Sequence, residues 1–183
     1  AAPVPKTRTR TPSVVKTVAK VIEASPVGKA GAMTSAVLRT RRAGLLSRRV
    51  RNKNIVVTGA TSGIGQDCAL KLAEAGATVI LAARTPQKLD DTVELIRGRG
   101  GKAFAYACDI ASMADCDRFV EKVLAEHRHV DILINNAGRS IRRSVKFSFD
   151  RFHDFERTMQ LNYFGALRLI FGFAPKMLER KSG

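Results

Sequence analysis

Between Ile55 and Gly65 the chain reads Ile-Val-Val-Thr-Gly-Ala-Thr-Ser-Gly-Ile-Gly, an apolar run of strand character that enters a glycine-rich turn and then an amphipathic stretch of helical period. Glycine lets a backbone turn tightly and come close to a ligand, and the free N–H groups and dipole at a helix start stabilise negative charge. The chemistry served by such a turn is the binding of a pyrophosphate. Thr58, Gly59, Thr61, Ser62, Gly63, Ile64 and Gly65 are therefore the first candidate binding residues. Their spacing is G-x-x-x-G-x-G, not the commoner G-x-G-x-x-G. A purely structural turn is the other reading, weakened by the position between strand and helix.

Four further segments follow in order: Ala82-Ala83-Arg84, Cys108-Asp109-Ile110, Asp131-Ile132-Leu133-Ile134-Asn135-Asn136-Ala137-Gly138, and Leu161-Asn162. With the glycine turn, they make residues 53–183 resemble the N-terminal half of the short-chain dehydrogenase/reductase family. The chain as a whole, basic arm included, also resembles the C-terminal reductase portion of two-domain bacterial fatty acyl-CoA reductases.

The resemblance implies a nicotinamide cofactor and hydride transfer between it and a carbonyl or alcohol. Arg84 stands 19 residues after Gly65, where a site preferring NAD usually has an acid. A guanidinium pairs with the 2′-phosphate of NADP, which a carboxylate would repel. NADP(H) is therefore favoured, although an ordinary surface arginine is the alternative. NAD(H) stays open because Ser62 replaces the family's basic residue before the second glycine. The family's acid for the adenine amino group corresponds to Asp109, which could also cap the next helix; Ile110 flanks it. In the Asn-Asn-Ala-Gly turn the resemblance makes Asn135 structural and puts Asn136, Ala137 and Gly138 along the cofactor. Asn162 aligns with the asparagine of the family's catalytic tetrad, whose backbone carbonyl holds a water. Asparagine is a poor residue for a helix interior, so a solvent-facing Asn162 is the competing reading.

The rest of the tetrad is missing from these residues. Tyr106 and Tyr163 are followed four positions later by Ile110 and Leu167, so no Tyr-x-x-x-Lys occurs, and the chain ends where the family's fifth strand and its serine begin. Without them the chain by itself is expected to hold a cofactor and not to turn over. The reading from another class is a non-catalytic nucleotide-binding or assembly module, or a truncated gene product. Arg139, Arg142, Arg143 and Lys146 lie near the substrate entrance and fit either an acidic substrate such as an acyl-CoA or a solvated loop.

The elements that must position these residues alternate as β-α-β-α-β-α-β-α from Asn54. Strands are expected at 54–58, 78–83, 102–107 and 131–135, and helices at 63–75, 87–98, 112–127 and about 151–180. The last helix should be interrupted near Asn162 and bent by Pro175. The fold class is α/β, a Rossmann-like doubly wound parallel sheet in strand order 3-2-1-4, truncated after the fourth strand and its following helix. Its fourth strand would be an open edge, which invites association and lowers stability.

Residues 1–53 have a different texture: 13 Lys/Arg face one acid, Glu23, while residues 54–183 carry 19 against 15. Most of the net charge of +16 therefore belongs to a basic N-terminal arm. Thr11 and Pro12 could start a helix with Val14, Val15, Val18, Val21 and Ile22 on one face. Such a helix suits an acidic membrane surface, a partner groove or a targeting segment; a linker is the plainer reading, with residues 39–53 a solvated tether. Nucleic acid is disfavoured because no aromatic residue interleaves the charges. The start at Ala1 suggests a processed or internal segment. Three cysteines without a C-x-x-C pair fit a reducing compartment and no zinc site, and the three histidines receive no role. The expected location is cytoplasmic, with an organellar or membrane-associated location through the arm as alternative. The complete protein is expected to form homo-oligomers.

Overall fold

The structure is a computed structural model, and it describes residues 44–183. The amphipathic helix expected over residues 11–23 and most of the arm lie outside the described residues.

Four parallel strands form one sheet in the order β3-β2-β1-β4. They are β1 (Asn54–Thr58), β2 (Thr78–Ala83), β3 (Lys102–Ala107) and β4 (Ile132–Ile134). Helices α1 (Gly63–Glu74), α2 (Pro86–Gly98) and α3 (Met113–His127) make the crossovers. The β-branched and leucine runs of β1 and β2 are buried on both faces, as a sheet covered by helices on both sides requires. Ile55, Val57, Val79 and Leu81 pack with Leu72, Leu89, Val93 and Ile96 on one face. Val56 and Ile80 pack with Phe119, Val123, Leu169 and Phe173 on the other. The expected doubly wound Rossmann-like order is therefore the observed one. The chain reverses its direction of winding between β1 and β4, so the ends of these two strands open a crevice, the usual ligand position in such sheets.

The strand expected over 131–135 is Ile132–Ile134 in the structure. Just before it, Asp131 donates its N–H to the Asn54 carbonyl at 2.8 Å while its carboxylate accepts the Asn54 N–H at 2.8 Å and the Arg180 guanidinium at 3.0 Å, so it clamps the start of β4 to β1. At the other end Asn135 and Asn136 leave the ladder to bind elsewhere.

After a single 3₁₀ turn (Val145–Phe147), the long C-terminal helix is three pieces: α4 (Phe152–Met159), a π-helical segment (Gln160–Gly165) and α5 (Ala166–Glu179), which contains Pro175. The interruption expected near Asn162 is this π segment. Such bulges occur often at functional sites.

Residues 45–53 do not behave as a solvated tether. A short helical segment at 44–50 turns Val50 into the core, where it is 4% exposed, and Leu46 packs beside it. The Asn52 N–H donates to the Gly76 carbonyl at 2.9 Å. Apolar Leu46 and Val50 stand four apart in a mostly charged stretch, and burial of that pair outweighs the surrounding charge. The compact unit thus runs from Leu45 to Gly183.

One buried charge organises the loop ahead of α4. Asp154 is 6% exposed and accepts Arg143 Nη1 at 2.9 Å and Arg151 Nε at 3.0 Å. Arg143, then Arg151, hold its carboxyl down at about 2. A depressed carboxylate pKa contributes stability that is present above the unfolded value near 4 and is lost as pH falls through the folded one. The melting temperature should accordingly fall more steeply between about pH 4 and pH 2 in the parent chain than in Asp154→Asn. Parallel curves in a thermal melt series would contradict this assignment.

Candidate functional site

The crevice beyond β1 and β4 is a cleft of about 680 Å³. Gly59, Thr61, Ser62, Gly63, Ile64 and Gly65 form one wall, and Arg84, Asp109, Ile110, Asn136, Ala137 and Gly138 line the rest. Twelve of the residues singled out in the sequence therefore converge on one cavity, although they are drawn from four separate segments.

The glycine turn owes its shape to close approach. Gly59 has φ +65°, and a Cβ there would press on Ala137. A Cβ at Gly65 would overlap the Gly59 carbonyl and Asn136 Nδ2. Ser62 precedes α1 but makes no side-chain capping bond, and the first turn of α1 contains no acid. That first turn thus borders the cleft with neither a side-chain cap nor an acid of its own. Ile64, 82% exposed, stands at the rim. α3 contrasts with this: Ser112 Oγ accepts the Asp115 N–H at 3.2 Å, and Asp115 lies in the first turn.

Ser112 thus takes the capping role considered for Asp109. The Asp109 carboxylate instead accepts the Ala111 N–H at 3.1 Å, a local turn that holds it at the cleft wall. Geometry explains the difference, because a cap must stand immediately before the first helical residue.

Thr58 is not a cleft-lining group. It is 1% exposed, and its Oγ1 accepts the N–H groups of Asn136 and Ala137, both at 2.9 Å. Asn136 reciprocates, Nδ2 donating to the carbonyls of Thr58 at 3.0 Å and Gly59 at 3.3 Å. These bonds bind the glycine turn to the Asn-Asn-Ala-Gly turn. The tie expected of Asn135 is therefore made by Asn136, while the exposed Asn135 reaches the Ala166 carbonyl at 3.4 Å. Both asparagines lie past the end of β4, and Asn136 is the one whose amide turns in the plane of the sheet to the end of β1.

Asn162 sits in the π segment away from the cleft lining. Its side chain accepts the Arg139 N–H at 3.0 Å and donates to the Arg139 carbonyl at 2.8 Å. The amide is thus committed to the loop after Gly138.

Arg84 is exposed at the end of β2, and Lys88 lies four residues on in the first turn of α2. Both line the cleft, and neither has an ion pair among the described residues. Sequence reading passed over Lys88, although its i,i+4 spacing from Arg84 across a helix start was a usable signal. Thr85 was also absent from the candidate set and lines the same cleft, and Arg142, considered for an acidic substrate, lines it too.

Cys108 borders the cleft as a buried thiol. Its hydrogen bond with Cys116 and its burial push its pKa far up, which fits a packing role. Tyr106 is also held protonated, by burial and by Glu126, whose carboxylate accepts its hydroxyl at 2.5 Å. That is the reverse of what a tyrosine acid near neutral pH requires. Among the described residues no group of three or more His, Cys, Asp or Glu could hold a metal, and no helix is long and apolar enough to cross a membrane.

The parallel doubly wound sheet defines an α/β protein of Rossmann-like fold, and its uncapped helix start and glycine cradle are features with which such folds meet a pyrophosphate. A short chain dehydrogenase family model matches residues 53–183, and the chain belongs to that oxidoreductase family, whose members use nicotinamide cofactors. It is 51% identical over 139 residues to a fatty acyl-CoA reductase of Acinetobacter baylyi, covering 76% of this chain and 47% of that protein. It is 48% identical over 131 residues to a fatty acyl-CoA reductase of Mycobacterium tuberculosis, covering 72% and 45%. The chain thus spans about half the length of the curated relatives it matches. Among solved structures, a metagenomic short-chain oxidoreductase in complex with NADP aligns with a TM-score of 0.69 at 34% identity, over 73% of this chain and 60% of that one. NAD+-bound xylitol dehydrogenase aligns with a TM-score of 0.68 at 28% identity, over 73% and 51%.

Proposed function

We propose that this chain is the cofactor-binding part of an NADP(H)-dependent reductase that acts on the carbonyl of a fatty acyl-CoA or of a related substrate. The observation carrying the cofactor choice is Arg84 with Lys88: two exposed cations, without an ion pair among the described residues, lining the cleft that contains the glycine turn. NADP differs from NAD by a 2′-phosphate, and this pair supplies the charge for it without an opposing acid at the end of β2. The substrate class rests on the two relatives named as fatty acyl-CoA reductases.

In this reading the bound cofactor supplies hydride to the carbonyl. The N–H groups at the start of α1 hold the pyrophosphate, Asp109 receives the adenine amino group, and Ala137 with Gly138 leaves room for the ribose. Asn162 sets the loop at Arg139 through its side chain, which leaves its backbone for a proton relay. The proton for the developing alkoxide comes from residues outside this chain, because neither Tyr106 nor Tyr163 is followed by lysine four positions on. The complete protein is a homo-oligomer in the cytoplasm. The basic arm supplies any peripheral contact with a membrane or partner, and nucleic acid is no partner.

Titration of NADPH and NADH against the chain and Arg84→Ala tests the cofactor choice. Loss of a charge-assisted contact should weaken NADPH by about 10–100-fold and leave NADH nearly unchanged. NADPH affinity indifferent to the substitution would remove the assignment.

A further inference from the structure

The four basic residues after Gly138 separate into two kinds in the structure. Arg143 is spent on buried Asp154, and Lys146 lies over the Phe147 ring, 4.9 Å from its centroid. Arg139 and Arg142 have no ion pair among the described residues, and both border cavities. Arg142 lines the cofactor cleft. Arg139 lines a second cavity of about 450 Å³, which shares Arg84, Asp109, Gly138 and Leu161 with the cleft and extends beyond it. Arg157 from α4 lines the same cavity, also without an ion pair among the described residues. Arg151, on the same side of the chain, is held by Asp154 instead.

Both walls are fixed in place. The side chain of Asn162 grips Arg139 at its N–H and its carbonyl, and Gln160, in the wall with Arg157, donates to the Ala111 carbonyl at 3.0 Å. The one acid in the cavity, Asp109, already accepts the Ala111 N–H. Two arginines therefore border one cavity, neither in an ion pair among the described residues. They are also extra to the cations that a 2′-phosphate uses, Arg84 and Lys88.

We propose that Arg139 and Arg157 form a phosphate subsite for the nucleotide end of a coenzyme A thioester, beside the cofactor cleft and filled together with it. This rests on the acyl-CoA reading of the site. Coenzyme A carries a pyrophosphate and a 3′-phosphate, so its recognition calls for planar, bidentate cations in addition to those used by the cofactor. The fatty acyl end then leads away along the cavity rim while the phosphates stay against the two guanidinium groups.

The test is calorimetric titration of the chain, first with NADPH, then with coenzyme A at saturating NADPH, and with 3′-dephospho-coenzyme A in parallel. Coenzyme A should bind the NADPH-loaded chain, and the dephospho form more weakly. In the Arg139→Gln/Arg157→Gln double variant coenzyme A should weaken by about tenfold or more while NADPH stays within about twofold. Arg139→Lys/Arg157→Lys should recover part of that loss, which shows that the fold is intact. Strict competition between coenzyme A and NADPH would overturn the proposal by assigning the arginines to the cofactor. So would coenzyme A binding that ignores the double variant, or its absence from a chain that binds NADPH. Failure of NADPH binding itself, or its indifference to Arg84→Ala, counts against the cofactor reading instead, and the coenzyme A titration is then read alone.

Discussion

Alanine at Gly65 should abolish dinucleotide binding, with NADPH affinity down by more than about 100-fold, and should lower stability by about 1–3 kcal/mol. The added methyl would occupy the position of the Gly59 carbonyl and of Asn136 Nδ2. Neither can retreat cheaply. Gly59 belongs to the turn at φ +65°, its N–H bonded to the Ala82 carbonyl at 2.8 Å, and Asn136 is held by the same turn. Relief requires α1 to move away from the turn, and its N-terminal N–H groups would move with it. Gly98→Ala supplies the control: it lies near the end of α2 with nothing within 4 Å of the added Cβ, and helix propensity there favours alanine. Thermal melts and NADPH titration of both variants decide the matter. Wild-type affinity in Gly65→Ala would mean that the glycine cradle is not the binding surface.

Much of this site is readable from the sequence because a parallel sheet writes its crevice into the ends of its strands. Apolar runs such as Ile55–Val57 and Val79–Leu81 can be buried only between two helical layers, and the residues just past each run are delivered to one edge of the sheet. Hence Gly59, Arg84, Asp109 and Ala137, far apart in the chain, meet in one cleft. The division of labour among neighbours is less legible. Whether Asn135 or Asn136 reaches β1 depends on how the chain turns after β4 ends at Ile134, which the strand pattern does not specify. Thr58 reads as a ligand-facing residue because it precedes the glycines, yet it still belongs to β1, which is buried on both faces, and its hydroxyl is taken by Asn136 and Ala137.

Charge is the other place where composition hides structure. Arg139, Arg142, Arg143 and Lys146 form one basic run on paper, and only the position of Asp154, eleven residues beyond Arg143, sorts them. The arm shows the same limit: Val50 is core and Arg51 is exposed, although both stand in an arginine-rich stretch. In each case a long-range partner decides the role, and no local pattern announces it.

The coupling of the two turns through Thr58 leads to the second large effect. Thr58→Val keeps the shape of the side chain and removes its oxygen. The Asn136 N–H retains a second acceptor, the Ile134 carbonyl at 3.0 Å, but the Ala137 N–H loses Oγ1, its acceptor at 2.9 Å. One part-buried donor thus loses its acceptor and one shared bond is weakened, a cost of about 2–4 kcal/mol. That is a large part of the roughly 5–15 kcal/mol that holds a typical domain together. In a melt it corresponds to a drop of roughly 5–15 °C for a domain of this size. Thr58→Ser keeps the oxygen and loses only a methyl group, so it should recover most of the loss. If the serine variant falls as far as the valine variant, the contribution of Thr58 is packing and not the hydrogen bond. If it recovers, the oxygen that joins the glycine turn to Asn136 and Ala137 is what keeps both walls of the cleft in register.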